Sequence, residues 1–202
     1  MKIFAVYSHP LRNSSCGQLL DAFIAGAEEA GHEVRLADLY QEGFQPALIA
    51  EDYAQFDGKP MPEDVRREQA RVEWSEGIVL VFPIWWWSMP AMLKGYIDRV
   101  FSFGWAWTDA NNPGASPLGN RRALLLATAG SPKRVYDKYG YGEAMRIQNE
   151  VGTLDYWGLS EYRTHVFYGV GKNYEDGGPN TGVDLGTFLT EARALGREFG
   201  KA

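Results

Sequence analysis

The sequence predicts a three-layer α/β sandwich built on a five-stranded, all-parallel sheet in the order 2-1-3-4-5. Three observations predict it. Five short apolar or alternating runs are separated by stretches with helical periodicity, the pattern of parallel strands joined by crossover helices. The run Gly77 to Phe82 (GIVLVF) is continuously apolar and bounded by Gly and Pro, as a strand covered on both faces would be. The chain has 202 residues and shows neither an internal repeat nor an interdomain linker, so 1–202 reads as a single domain.

The elements follow in order. Lys2 to Tyr7 (KIFAVY) reads as a buried first strand. Leu19, Leu20, Phe23, Ile24 and Ala27 form the stripe of a first helix, which Gly31 stops. Glu33 to Asp38 (EVRLAD) alternates and makes the second strand. Val65 to Trp74 is charged throughout and only modestly apolar, yet helical in pattern. Gly77 to Phe82 is the third strand, and Met92, Leu93, Tyr96, Ile97 and Val100 form the helix after it, entered through Pro90. Arg122 to Thr128 and Arg163 to Val170 are the fourth and fifth strands, with a weaker helix on Met145, Gln148, Val151 and Leu154 between them. Leu185, Phe188, Leu189, Ala192, Leu195 and Phe199 make a C-terminal helix. Gly43 to Pro62 and Phe103 to Asn120 are long excursions, of the kind compact domains keep for function or for a partner subunit.

Composition narrows the function classes. Net charge is −6 without a Lys/Arg cluster, which argues against a nucleic-acid partner. No segment has the apolar length of a membrane span. The opening MKIFAVY is too short for a signal-peptide core, and the single cysteine, Cys16, fits a reducing compartment, so the expectation is a cytoplasmic protein. No spacing of His, Cys and carboxylates suggests a metal site.

In the predicted topology, ligands bind at the carboxyl ends of strands 1 and 3. Strand 1 runs into SHPLRNSSCGQ, Ser8 to Gln18, where Ser15 with Gln18 fits a capping box and makes Ser15 the expected N-cap. Free amides there, the hydroxyls of Ser14 and Ser15 and charge from His9 or Arg12 would cradle a phosphate. A serine that merely caps a helix is the commoner use, and position decides for the phosphate. No GxGxxG and no Walker-type loop is present, against a Rossmann dinucleotide site or a P-loop NTPase. Pro83 to Ser88 leaves strand 3 beside this loop and carries three consecutive tryptophans, Trp85, Trp86 and Trp87. As an extended segment it would point Trp86 opposite to the other two, so at least one ring is expected to be structural. A phosphate cradle beside an aromatic wall points to a flat ring system attached to a phosphate, which on this flavodoxin-like topology is a flavin.

FPIWWWSMPAMLKGYIDRVFSFGWAW, Phe82 to Trp107, resembles the signature segment of the NAD(P)H:quinone oxidoreductases of the flavodoxin-like superfamily, the family of DT-diaphorase, modulator-of-drug-activity and potassium-efflux ancillary type. His9-Pro10, Asp38-Leu39-Tyr40 and Thr128-Ala129-Gly130 extend the likeness over about Lys2 to Tyr168. The resemblance implies a ping-pong, two-electron hydride transfer from NAD(P)H through bound flavin to a quinone or related small aromatic acceptor, in a homodimer. It places His9, Ser15 and Cys16 on the flavin's phosphate, Pro83, Ile84, Trp85, Trp86 and Trp87 along its rings, and Thr128, Ala129, Gly130 and Ser131 at its pyrimidine edge. Tyr136 falls eight residues after Thr128, where the family has a catalytic tyrosine. Tyr141 is the nearest candidate for a family histidine that is missing here, and Ser131 replaces a second glycine. Loop anchoring is the alternative role for both tyrosines. Trp105 and Trp107 would line the acceptor pocket or a dimer contact. The excursion Gly43 to Pro62 resembles the FAD-using branch, with FMN as the alternative cofactor. An ancillary regulator of a membrane transporter, an azo- or nitroreductase and a flavodoxin-type electron carrier are the competing functions.

Overall fold

The computed structural model describes residues 1–107, 118–159, 161–170 and 184–201. In chain order the elements are β1 (Lys2–Tyr7), α1 (Ser15–Glu29), β2 (Glu33–Asp38), a 3-10 helix (Ala50–Phe56), α2 (Glu63–Trp74), β3 (Gly77–Pro83) and α3 (Ala91–Val100). Then come β4 (Arg122–Ala129), α4 (Lys133–Tyr139), α5 (Tyr141–Arg146), a π-helical segment (Ile147–Asp155), β5 (Glu161–Tyr168) and α6 (Leu185–Glu198). The sheet order is β2-β1-β3-β4-β5 and all four pairings are parallel. The fold is flavodoxin-like, as the strand pattern predicts.

β3 is buried at every position and β4 at all but its first, whereas the edge strands β2 and β5 keep several side chains partly exposed. That difference is why GIVLVF reads as unbroken and EVRLAD as alternating. On one face of the sheet Leu19, Phe23, Phe188 and Ala192 of α1 and α6 cover Ile3, Ala5, Val79 and Leu124. On the other, Val72, Leu93, Ile97, Met145 and Leu154 cover Phe4, Val6, Leu80 and Leu125. The register aligns Tyr7 with Val81, Pro83 with Thr128 and Ala129 with Tyr168, so the loops after β1, β3 and β4 open on one edge of the sheet.

The expected elements need several corrections. β5 runs from Glu161 to Tyr168, two residues earlier at each end than the sequence suggests. The weak helix on Met145, Gln148, Val151 and Leu154 is α5 followed by the π-helical segment. The i→i+5 winding breaks the ordinary helical stripe, leaving Val151 exposed while Met145 and Leu154 are buried. α1 does stop at Gly31, at φ +80°, where the amides of Gly31 and His32 bond back to the Glu28 and Ala27 carbonyls. Residues 108–117 of the second excursion lie outside the described residues.

The first excursion is fixed by one buried cation. Arg99, on α3 and 1% exposed, holds both oxygens of the buried Asp52 at 2.8 and 3.1 Å, Asp64 at 2.7 Å and the Gln45 carbonyl at 2.7 Å. Asp52 also accepts from the Ile49 amide at 2.9 Å, and Gln55 accepts from Phe103 N at 2.6 Å. Arg99 therefore ties the loop after β2 to the end of α3, and Gln55 ties it to the start of the aromatic segment.

Candidate functional site

The loop after β1 is shaped by Tyr7. Its hydroxyl donates to the Leu11 carbonyl at 3.2 Å and lies 3.1 Å from Ser14 Oγ, which accepts from Gly17 N at 3.2 Å. The N-cap is therefore Ser14, not Ser15. A one-residue shift leaves Ser15 as the first helical residue. The amides of Ser15 and Cys16, in the first turn, have no intrahelical acceptor and emerge at the positive end of α1. A side chain at Gly17 would put its Cβ 2.0 Å from the Arg12 carbonyl oxygen, so the turn closes only over glycine.

The predicted cationic groups behave differently from one another. Arg12 is occupied by Asp21, with one contact at 3.1 Å, and by the Gly17 carbonyl at 3.1 Å, with Asp38 4.0 Å away. It braces the loop rather than facing outward. His9 accepts from the Leu11 amide through Nδ1 at 3.0 Å, which leaves Nε2–H as a donor without a partner among the described residues. Burial lowers the pKa of His9, so the ring is neutral at pH 7. Cys16 is buried, and desolvation pushes its thiol up to about 12 despite a hydrogen bond with Thr128. Its contribution to an anion site is its amide.

The tryptophan loop is a tight hairpin rather than an extended strand. Trp85 and Ser88 exchange both main-chain hydrogen bonds at 3.1 Å, and the two residues between them, Trp86 and Trp87, have φ of 50° and 61°. Two positive φ values at the central pair are the mark of a type I′ turn, normally made by Asn and Gly. The three rings diverge. Trp86 is 93% exposed at the tip. Trp85 is 41% exposed and lies 5.9 Å from the His9 ring, joining this loop to the β1 loop. Trp87 is half-buried and stacks on Tyr141 at 3.9 Å and 17°, so it is the structural one. Pro83 and Ile84 are buried, and Ile84 N donates to the Thr128 carbonyl at 2.7 Å.

Beside the turn, the end of β4 carries Thr128 and Ala129, both buried, then the exposed Gly130, where a Cβ would meet only the Val170 carbonyl oxygen at 3.9 Å, and the half-buried Ser131. Tyr136 is buried edge-on between Trp87 at 5.4 Å and Tyr168 at 4.9 Å, and its hydroxyl has no hydrogen-bond partner among the described residues. Burial pushes that phenol up to about 12. The structure thus brings together His9, Ser15, Cys16, the Trp85–Trp87 turn, Thr128 to Ser131, Tyr136 and Tyr141. Trp105 and Trp107 are elsewhere. Trp105 bonds Glu73 at 2.7 Å and packs on Phe101, while Trp107 packs on Phe103 and Tyr156. Among the described residues, no ring contact of theirs reaches the Trp85–Trp87 turn. Phe101, at the end of α3, is buried and stacked on Trp157 at 3.7 Å.

A family model described as the flavodoxin-like fold matches residues 1–180. The chain belongs to that family. Its flavodoxin-like relatives include an uncharacterized NAD(P)H oxidoreductase of Haemophilus influenzae, 30% identical over 168 residues and covering 83% of each chain. A ribosyldihydronicotinamide dehydrogenase-like protein of Penicillium crustosum is 30% identical over 166 residues, 69% of this chain. The chain spans only 61% of that relative's length. Among solved structures, the NAD(P)H:quinone oxidoreductase of Methanothermobacter marburgensis superposes with a TM-score of 0.83 at 28% identity, covering 100% of this chain and 97% of that one.

Within this flavodoxin-like frame, sequence reasoning missed Tyr7, Gly17 and Tyr168, and placed Ser14 in the phosphate loop without its capping role. Tyr7 and Tyr168 end their strands at the ligand edge of the sheet. An aromatic at a carboxyl strand end was the available signal. Ser14 was one residue from the expected cap. No helix among the described residues is long and apolar enough to cross a membrane.

Proposed function

We propose that the chain is a flavin-dependent NAD(P)H:quinone oxidoreductase, which moves two electrons as hydride from NAD(P)H to a quinone or related small aromatic acceptor in a ping-pong cycle. One observation carries the reading: the Trp86–Trp87 turn holds two bulky residues at positive φ next to the first-turn amides of α1 and the exposed Gly130. Such strain persists where the surroundings enforce it and function uses it. The three features stand on the adjacent strands β1, β3 and β4, and they fit the three parts of a flavin mononucleotide unit: phosphate, ring face and pyrimidine edge. Flavin, when bound, supplies the hydride chemistry.

The residues have these roles. The Ser15 and Cys16 amides and the His9 Nε2–H hold the phosphate. The main chain of Pro83 to Trp87 and the Trp85 and Trp86 rings carry the flat system. Main-chain donors of Thr128 to Ser131 stabilise negative charge at the pyrimidine edge, preorganised as in an oxyanion hole. Tyr136 donates a hydrogen bond there, and Tyr141 supports the turn through Trp87. FAD is favoured over FMN, because the excursion fixed by Arg99 offers a rigid surface for a second nucleotide. Stoichiometric FMN in heat-released supernatant, without activation by FAD, would overturn that choice.

The working unit is a homodimer in the cytoplasm. Leu48, Ile49, Tyr53 and Phe56 on the first excursion are exposed apolar side chains, next to Phe103 through the Phe56–Phe103 stack at 5.7 Å. Trp105 and Trp107, remote from the turn in their own chain, would line the acceptor pocket of the second copy. Light scattering at micromolar concentration tests this, and a monomeric mass with full activity would refute it. For the activity itself, the test is bleaching of bound flavin by NADH or NADPH, followed by recovery on adding a quinone.

A further inference from the structure

A cleft of about 260 Å³ opens between α5, the π-helical segment and β5, lined in part by Gly142, Met145, Asn149, Thr164, Val166 and Tyr168. Two of its polar groups are unpaired. Asn149 is 3% exposed, and its side-chain amide, which makes no hydrogen bond to the described residues, keeps an accessible edge in the cleft. Thr164 Oγ1 is buried and equally unpartnered. Buried hydroxyls are satisfied in nearly all native structures, so an unmet Thr164 Oγ1 is costly unless a ligand completes it. Thr164 alternates with Val166 and Tyr168 on β5, so all three face the same side of the sheet. The π-helical winding, with Thr153 Oγ1 bonded to the Gln148 carbonyl at 3.1 Å, carries Asn149 opposite them.

The chemistry of the lining narrows the occupant. Arg146 and Glu150 cancel in charge, and Arg146 is held bidentate by Glu143 at 2.8 Å, which disfavours a phosphate. Asn149 and Thr164 each carry both a donor and an acceptor. A quinone offers acceptors only and would leave the Asn149 carbonyl unmet. An aminopurine edge offers both, and an asparagine amide pairs with it through two bonds. Met145, Val166 and Tyr168 supply apolar surface. The volume is well above the ~30 Å³ of one water but short of a drug-sized site, so one ring system fits and a whole dinucleotide does not. Tyr168 connects the cleft to the site already described, through Tyr136 at 4.9 Å.

We propose that this cleft seats the adenine ring of the dinucleotide donor, paired with Asn149 and Thr164 and packed against Met145 and Tyr168. The proposal rests on the NAD(P)H-dependent reading. It is tested on the flavin-loaded protein with two donors, NADH and dihydronicotinamide riboside, the second having no adenine. Asn149→Leu and Thr164→Val remove the polar groups at similar size, a change that is near neutral for folding when both partners of a bond are absent. The expected result is a rise of about tenfold in the ratio of KM for NADH to KM for the riboside in Asn149→Leu, with a smaller rise in Thr164→Val. AMP should bind the wild-type protein saturably in equilibrium dialysis, compete with NADH, and bind Asn149→Leu more weakly. An unchanged KM ratio in both variants overturns the proposal, even if AMP binds, since the cleft would then serve a free nucleotide. If neither donor bleaches the flavin, the oxidoreductase reading fails on its own. AMP dialysis then decides the cleft, and absence of saturable binding overturns it.

Discussion

Replacing Trp86 by glycine separates folding from function at the tryptophan turn. Trp86 is at φ 50° and 93% exposed, so its ring contributes almost no burial to the free protein. The left-handed conformation costs a non-glycine residue roughly 1–2 kcal/mol. Glycine adopts it without that cost but loses about 0.5–1 kcal/mol more entropy on folding. Trp86→Gly should therefore stabilise the flavin-free protein by about 0.5–1 kcal/mol, a rise of about 1–4 °C in Tm for a chain of this size. The same change removes one wall of the ring site. Aromatic pairs are worth about 0.5–1.5 kcal/mol beyond their area, so flavin affinity should fall about tenfold. Calorimetry of the flavin-free protein and a fluorescence titration with flavin measure the two effects separately. A lower Tm would mean that the turn is held by contacts and stores no strain. A higher Tm with unchanged affinity would remove Trp86 from the site.

Tyr136→Phe deletes only a hydroxyl, and losing one such donor should slow flavin reduction roughly ten- to a thousand-fold in stopped flow. A wild-type rate with both NADH and NADPH would make Tyr136 a loop anchor. Tyr141→Phe, which keeps the ring stacked on Trp87, should cost less. Burial raises Tyr136 to about 12, so its proton stays on through the ordinary tyrosine range and the pH–rate profile should show no inflection near ~10. Gly17→Ala would drive a methyl to 2.0 Å from the Arg12 carbonyl oxygen, and should abolish flavin retention while lowering Tm, as gel filtration and calorimetry would show. Asp52→Ala leaves the buried Arg99 with half its carboxylates and should cost about 3–5 kcal/mol in urea unfolding.

The strands were legible because hydrophobic patterning is a property of single residues. The continuous run at Gly77 to Phe82 and the alternation at Glu33 to Asp38 report burial on two faces and on one. The π-helical segment was not legible, because Ile147 to Asp155 changes period without any change in composition. The three tryptophans marked their loop but not its shape. Nothing local says that Trp86 and Trp87 take positive φ, since their own preference is against it and the Trp85–Ser88 pairing with the Trp87–Tyr141 stack overrides that preference. Arg99 illustrates a third limit. It appeared only as part of a resemblance, and its meaning depends on Asp52 and Asp64, distant in sequence. In α2, the buried Glu68 was hidden by a charged sequence. Burial raises its carboxyl pKa, against the pull of Arg71 and Arg67.

The most direct test of the account is an anaerobic double-mixing experiment on the purified, flavin-loaded protein. NADH or NADPH is added first, the oxidised nicotinamide is allowed to leave, and a quinone is added second. The account predicts loss of the oxidised-flavin absorbance in the first step and its full return in the second, one equivalent of quinone per flavin. Parallel initial-rate lines should appear when both substrates are varied. A flavin that neither nucleotide bleaches, or that a quinone fails to reoxidise after bleaching, would contradict it.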